Sequence, residues 1–72
     1  MKNRIAQLRK ERRLTQEELA ARVAVSRQTI ISIERGRFDP SLPLAFRIAS
    51  VFGMPLEDIF DASEAPALTP RP

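Results

Sequence analysis

QEELAARVAVSRQTIISIER, residues 16–35, is the stretch whose reading decides the fold. The residue before it is Thr15, and Thr15-Gln16-Glu17-Glu18 has the spacing of a capping box. In that arrangement the Thr15 hydroxyl accepts from the Glu18 amide while the Glu18 carboxylate reaches back to the Thr15 amide. A helix therefore starts near residue 16 and turns Leu19, Ala20 and Val23 inward. Ser26 follows Ala24-Val25 as a fresh N-cap and opens another helix over residues 27–35, which Gly36 stops. At roughly 100° per residue, Thr29, Ile30 and Ile33 fall on one side of that second helix and face a core. Gln28, Ile31, Ser32 and Arg35 fall on the other, with Arg27 on the flank and no acid among them.

Two short helices joined by a tight turn form a helix-turn-helix, whose second helix has the shape to enter the DNA major groove. The outward side chains suit that use. Glutamine pairs with the adenine edge, arginine with the guanine edge, and an apolar group meets the thymine methyl. Arg27, Gln28, Ser32 and Ile31 are accordingly the base-reading candidates. Each also has a plainer role: phosphate or solvent contact for Arg27, simple exposure for Gln28, close approach for Ser32, a core edge or protein contact for Ile31.

Working outward, residues 3–13 set Ile5, Leu8 and Arg12 at helical spacing. Phe38-Asp39-Pro40 reads as a loop and Ser41 as the cap of a fourth helix over 42–52, where Pro43 is tolerated in the first turn. Its expected inner stripe is Leu42, Ala45, Ile48, Ala49 and Phe52, with Gly53 beyond its end. Pro55 starts a last short helix carrying Leu56, Ile59 and Phe60. No strand pattern appears, so the expected class is all-α. The domain is expected over residues 1–60, followed by a flexible Pro-rich tail over 61–72 (DASEAPALTPRP).

Composition narrows the function. The 72 residues include no cysteine, histidine, tryptophan or tyrosine. Disulfides, cysteine or histidine metal ligands and a Ser-His-Asp triad are thus excluded, and no metal or other cofactor is expected. A chain of this size offers little room for a substrate pocket, so an enzyme is not expected. No apolar run reaches the ~18 residues of a membrane span, and no signal-peptide pattern follows the basic start; a cytoplasmic protein is expected. Residues 1–38 carry ten Lys/Arg against four Glu, a balance of +6, whereas residues 39–72 carry −3. Arginine outnumbers lysine ten to two. Such a split suits a molecule with one side turned toward a polyanion.

LTQEELAARVAVSRQTIISIERG (14–36), followed by PSLPLAFRIASVFGMPLEDIF (40–60), resembles the Cro/CI-type, xenobiotic-response-element-like helix-turn-helix regulators of bacteria and phages. The likeness spans residues 3–60. It implies a compact five-helix lambda-repressor-like domain, a symmetric homodimer on a palindromic double-stranded DNA operator, and transcriptional control, expected to be repression. It places Arg27, Gln28 and Ser32 at base-reading positions. Gln16, Arg35, Arg37 and Ser41 fall at backbone-phosphate positions, with Gln16 also bracing Gln28. Arg9 and Glu34 match a structural ion pair between the first and third helices. Leu56, Ile59 and Phe60 are the expected dimer seam, joined by Leu44 or Val51. The family's usual glycine in the turn is here Ala24, which implies an alanine in left-handed conformation. The alternative reading is an antitoxin-like or adaptor module, with a toxin-sized protein as partner.

Overall fold

The computed structural model describes residues 1–61; of the tail expected over 61–72, all but Asp61 lies outside the described residues. Five helices follow one another: α1 (Ile5–Glu11), α2 (Gln16–Arg22), α3 (Arg27–Glu34), α4 (Leu42–Phe52) and α5 (Leu56–Ile59). Two short strands that sequence reading does not anticipate flank them, β1 (Lys2–Asn3) and β2 (Phe60–Asp61). They pair antiparallel, Lys2 opposite Asp61 and Asn3 opposite Phe60. Two residues per strand are too few to show an alternating pattern, which is why the sequence reads as purely helical there. Asp61, expected in the tail, is thereby part of the domain.

The helices converge on one apolar core. Ile5, Leu19, Val23, Ile30, Ile33 and Ile48 are buried within it, and Thr29 lies half-buried beside Ile30. Three expectations about apolar faces need correction. Leu42 is 60% exposed, not part of the inner stripe of α4, and Phe46 beside it is 55% exposed. Leu44 is buried in their place, and Val51 packs on the core. Ile59 is only 1% exposed, so it closes the core and is unavailable as a dimer seam. The rest of the expected stripe of α4, Ala45, Ile48, Ala49 and Phe52, is buried as its spacing implies.

Three of the five helices, α2, α3 and α4, begin on a side-chain cap that the sequence dictates. The Thr15–Glu18 capping box is complete, with the Thr15 hydroxyl accepting from the Glu18 amide at 3.0 Å and Glu18 Oε1 accepting from the Thr15 amide at 2.8 Å. The bond from the Thr15 amide first, and the Thr15 hydroxyl beside the carboxylate second, hold the Glu18 carboxyl below the ordinary glutamate range. The box is thus formed at neutral pH and weakens as the pH falls through that lowered value. Ser26 and Ser41 cap α3 and α4 through the amides of Thr29 (3.2 Å) and Leu44 (3.3 Å).

The four longer helices end alike. After each stands one left-handed residue, namely Arg13 (φ 56°), Ala24 (φ 61°), Gly36 (φ 73°) and Gly53 (φ 64°). Paired backbone bonds close each end as a Schellman motif: Leu14 to Arg9 and Arg13 to Lys10, Val25 to Ala20 and Ala24 to Ala21, and likewise beyond Gly36 and Gly53. Leu14, Val25 and Met54, one position further on, pack against the core and fix the exit direction. Side chains from elsewhere then take up remaining carbonyls. Arg9 Nη1 donates to Leu14 O (2.9 Å), Arg47 Nε to Val23 O (3.1 Å) and Asn3 Nδ2 to Ile33 O (2.7 Å). Arg12 Nη2 donates to Phe52 O (3.1 Å) with its guanidinium 5.1 Å from the Phe52 ring centre, and Arg4 Nη1 donates to Asp58 O (3.1 Å).

Two of these left-handed positions hold residues with a Cβ, which strains them by about 1 kcal/mol each relative to glycine. Ala24→Gly and Arg13→Gly are each expected to stabilise the domain by up to about 1 kcal/mol, raising the melting midpoint by several degrees, roughly 4–8 °C per kcal/mol. Circular-dichroism melts check this; a midpoint lowered by several degrees in either variant would contradict the argument.

Candidate nucleic-acid interface

The orientation of α3 is fixed by a single carboxylate. Glu34, on its last turn, has a side chain only 8% exposed. Its Oε2 accepts from Arg9 Nε of α1 at 2.8 Å, and its Oε1 accepts from Arg9 Nη2 at 3.4 Å and from Gln16 Nε2 of α2 at 3.0 Å. Arg9 also holds Leu14 O, so the guanidinium is occupied on both edges. One acid thus ties the first three helices together. The bracing role of Gln16 goes to Glu34 and not to Gln28, because a carboxylate removed from water needs donors more than an exposed amide does.

The loop side of α3 and its α2 side each form a groove. On the α2 side, Arg27 faces Gln16 across a polar groove also lined by Arg9, Thr15 and Glu17. On the other side, Gln28 and Ser32 line a groove with Ser26, Thr29, Arg37 and Phe38. Arg27 and Gln28 are exposed, and Ser32 and Ile31 are half-buried. The Ser26 and Thr29 hydroxyls bond each other at 3.0 Å. Arg35 and Arg37 are both exposed, but Arg35 lies apart from these grooves, beside Met1, Lys2 and Asn3 at the far end of α3. Ser41 is exposed at the start of α4 and lines neither groove.

The arginines divide into two sets. Arg4, Arg9, Arg12 and Arg47 spend their guanidinium donors on protein carbonyls or on Glu34. Arg13, Arg22, Arg27, Arg35 and Arg37 are exposed and make no side-chain hydrogen bond or ion pair among the described residues. Three of these five, Arg27, Arg35 and Arg37, lie on α3 or within three residues of its end. Sequence reading misses Phe38, which it leaves as plain loop; its exposure of 48% beside Gln28 and Ser32 is visible only once the loop is placed. Among the described residues no cluster of acidic side chains is arranged to hold a metal ion. No described helix is long and apolar enough to cross a membrane.

A helix-turn-helix family model matches residues 5–59, which is the whole helical span from α1 to α5. The chain belongs to that family. Within it, the Cro/CI-type resemblance holds, and the domain is that of a DNA-binding transcription regulator. The chain is 58% identical over 60 residues to an "uncharacterized HTH-type transcriptional regulator" of Methanocaldococcus jannaschii, covering 83% of this chain and 91% of the relative. It is 41% identical over 56 residues to the immunity repressor of Bacillus phage phi105, covering 78% of this chain but 39% of that longer protein. Among solved structures, the restriction-modification controller protein C.AhdI of Aeromonas hydrophila superposes with a TM-score of 0.73 at 28% identity, over 79% of this chain and 86% of that one.

Glu34 is the joint of the site, so its removal should do more than loosen a surface pair. Glu34→Ala leaves the largely buried Arg9 guanidinium without its carboxylate partner and is expected to destabilise the domain by about 3 kcal/mol in urea unfolding. Glu34→Gln, which keeps an acceptor for Arg9, should lose less. Equal losses for the two variants would mean that the charge, and not the hydrogen-bond geometry, holds α3.

Proposed function

We propose that the chain is a sequence-specific, double-stranded DNA-binding repressor that acts as a homodimer and inserts α3 into the major groove. The observation that carries this reading is the outer face of α3. Arg27, Gln28 and Ser32 stand there between two grooves, with uncommitted guanidinium groups around them. Arg27 and Gln28 read base edges, Ser32 allows close approach, and half-buried Ile31 offers its remaining apolar surface to a thymine methyl. Arg35 and Arg37 neutralise phosphates on either side of the helix end. Gln16 keeps one amide hydrogen beyond its bond to Glu34, and Ser41 keeps its hydroxyl proton, for flanking phosphate oxygens. The immunity repressor of phage phi105 supports repression as the direction of control.

The dimer seam in this reading differs from the one the sequence suggests. Leu56 and Phe60 remain in it, both half-buried and lining an apolar groove with Pro40, Leu42 and Ala45. Leu42 and Phe46, one turn apart on α4, extend that groove with exposed apolar surface. Ile59 serves it from behind as a core residue. A second copy related by a two-fold axis covers this surface and sets two α3 helices on one face of the duplex.

Selection of bound duplexes from random sequence, run in parallel on the wild type and Gln28→Ala, tests the reading. A palindrome is expected from the wild type; Gln28→Ala should lose about 1–3 kcal/mol on it and become indifferent at the contacted base. Arg37→Ala should weaken all duplexes alike and shallow the salt dependence by about one unit. Sequence-indifferent recovery with both proteins would instead favour a protein-binding module. Phe46→Glu is expected to yield a folded monomer in sedimentation equilibrium; a folded dimer would remove the proposed seam.

A further inference from the structure

Three large apolar side chains stand in solvent among the described residues: Phe38, Leu42 and Phe46. Leu42 and Phe46 belong to the α4 face considered above. Phe38 borders a different groove, walled on one side by Ser26, Gln28, Thr29 and Ser32 of the α3 segment and on the other by Arg37. Phe38 is 48% exposed. The loop is not slack at this point. The Schellman bonds beyond α3, Gly36 to Ile33 O at 2.9 Å and Arg37 to Ser32 O at 2.9 Å, fix the direction in which the chain leaves the helix. Asp39, next in sequence, is anchored through a 3.1 Å bond from the Met1 ammonium. Phe38 thus follows a fixed helix exit, on the side of α3 that bears Gln28 and Ser32.

We infer that Phe38 is a DNA-contacting residue, packing its ring on apolar surface of the duplex beside the bases met by Gln28 and Ser32. This rests on the reading of α3 as the recognition helix. Charge complementarity identifies the occupant. The groove edge carries the unpaired guanidinium of Arg37, and none of the six residues lining it is acidic. A polyanion that also offers apolar surface satisfies both walls, and duplex DNA has two such surfaces within reach of a groove wall: the thymine methyl and the face of deoxyribose. Ring burial there adds affinity that does not depend on salt, since no counterion is released by an uncharged side chain. Phe38 and Arg37, neighbours in sequence, therefore divide the work: one adds a salt-insensitive contact, the other a salt-sensitive one.

The test compares wild type, Phe38→Ala, Phe38→Leu and Gln28→Ala on the strongest duplex recovered by selection, and on the same duplex with deoxyuridine replacing each thymine in turn. Phe38→Ala is expected to bind about 5–20-fold more weakly with an unchanged salt slope and an unchanged melting midpoint, and Phe38→Leu to recover part of the loss. If one deoxyuridine weakens the wild type but leaves Phe38→Ala unaffected, the thymine methyl is the surface contacted. If every deoxyuridine acts equally on both proteins, the contact is to the sugar. Wild-type affinity in Phe38→Ala overturns the inference, as does a loss accompanied by a changed sedimentation mass, which would assign Phe38 to contact between copies. Should Gln28→Ala also bind like the wild type, it is the reading of α3, and not the place of Phe38, that has failed.

Discussion

Helices of four to eleven residues are nearly all ends. Each α-helix leaves about four amides and four carbonyls without internal partners, so in this fold the orphaned groups rival the bonds that the helices make for themselves. The rest of the structure depends on how those ends are closed. Amino ends are closed locally, by Thr15, Ser26 and Ser41. The carboxyl ends of α2, α3 and α4 are closed twice, first by a left-handed residue that folds the backbone over its own last turn, and then by a side chain arriving from a distant element. Because Asn3, Arg4, Arg12 and Arg47 reach across 24 to 54 residues of sequence, the capping bonds are also the tertiary structure. The core decides that the helices collapse together; the caps decide at what angles.

That division explains what could be read from the sequence. Amino caps are local, and Thr15-Gln16-Glu17-Glu18, Ser26 and Ser41 announce their helices within a residue of where they start. Glycines announce two of the exits. Arg13 does not, because an arginine in left-handed conformation has no propensity to betray it; only the core position of Leu14 forces the turn. On α4, Leu42 and Leu44 exchange the exposed and buried places that spacing assigns them, while Ala45, Ile48, Ala49 and Phe52 keep theirs. Eight of the eleven residues over 42–52 are apolar, too many for spacing alone to rank Leu42 against Leu44.

In the interface, the residues of α3 follow from helical angle alone, whereas the partner of Gln16 and the placement of Phe38 do not. Both depend on contacts between segments that sequence spacing cannot rank. The arginine excess illustrates the same limit. The basic balance of residues 1–38 suggests a polyanion partner, yet Arg4, Arg9 and Arg12 spend their charge inside the domain. Their charges still add to the field of that half of the molecule, but the groups able to hydrogen-bond to a ligand are fewer than the count implies.

The two-residue ladder between β1 and β2 has a consequence for motion. It joins positions nearly sixty residues apart, the longest closure in the domain, with very little ladder to hold it. Such a seam is the first part of a small domain to open and the last to close. Opening it withdraws Asn3, whose amide caps Ile33 at the end of α3. Opening of this ladder is therefore felt at the carboxyl end of the helix that faces the grooves, while its amino end is capped by Ser26 within the turn.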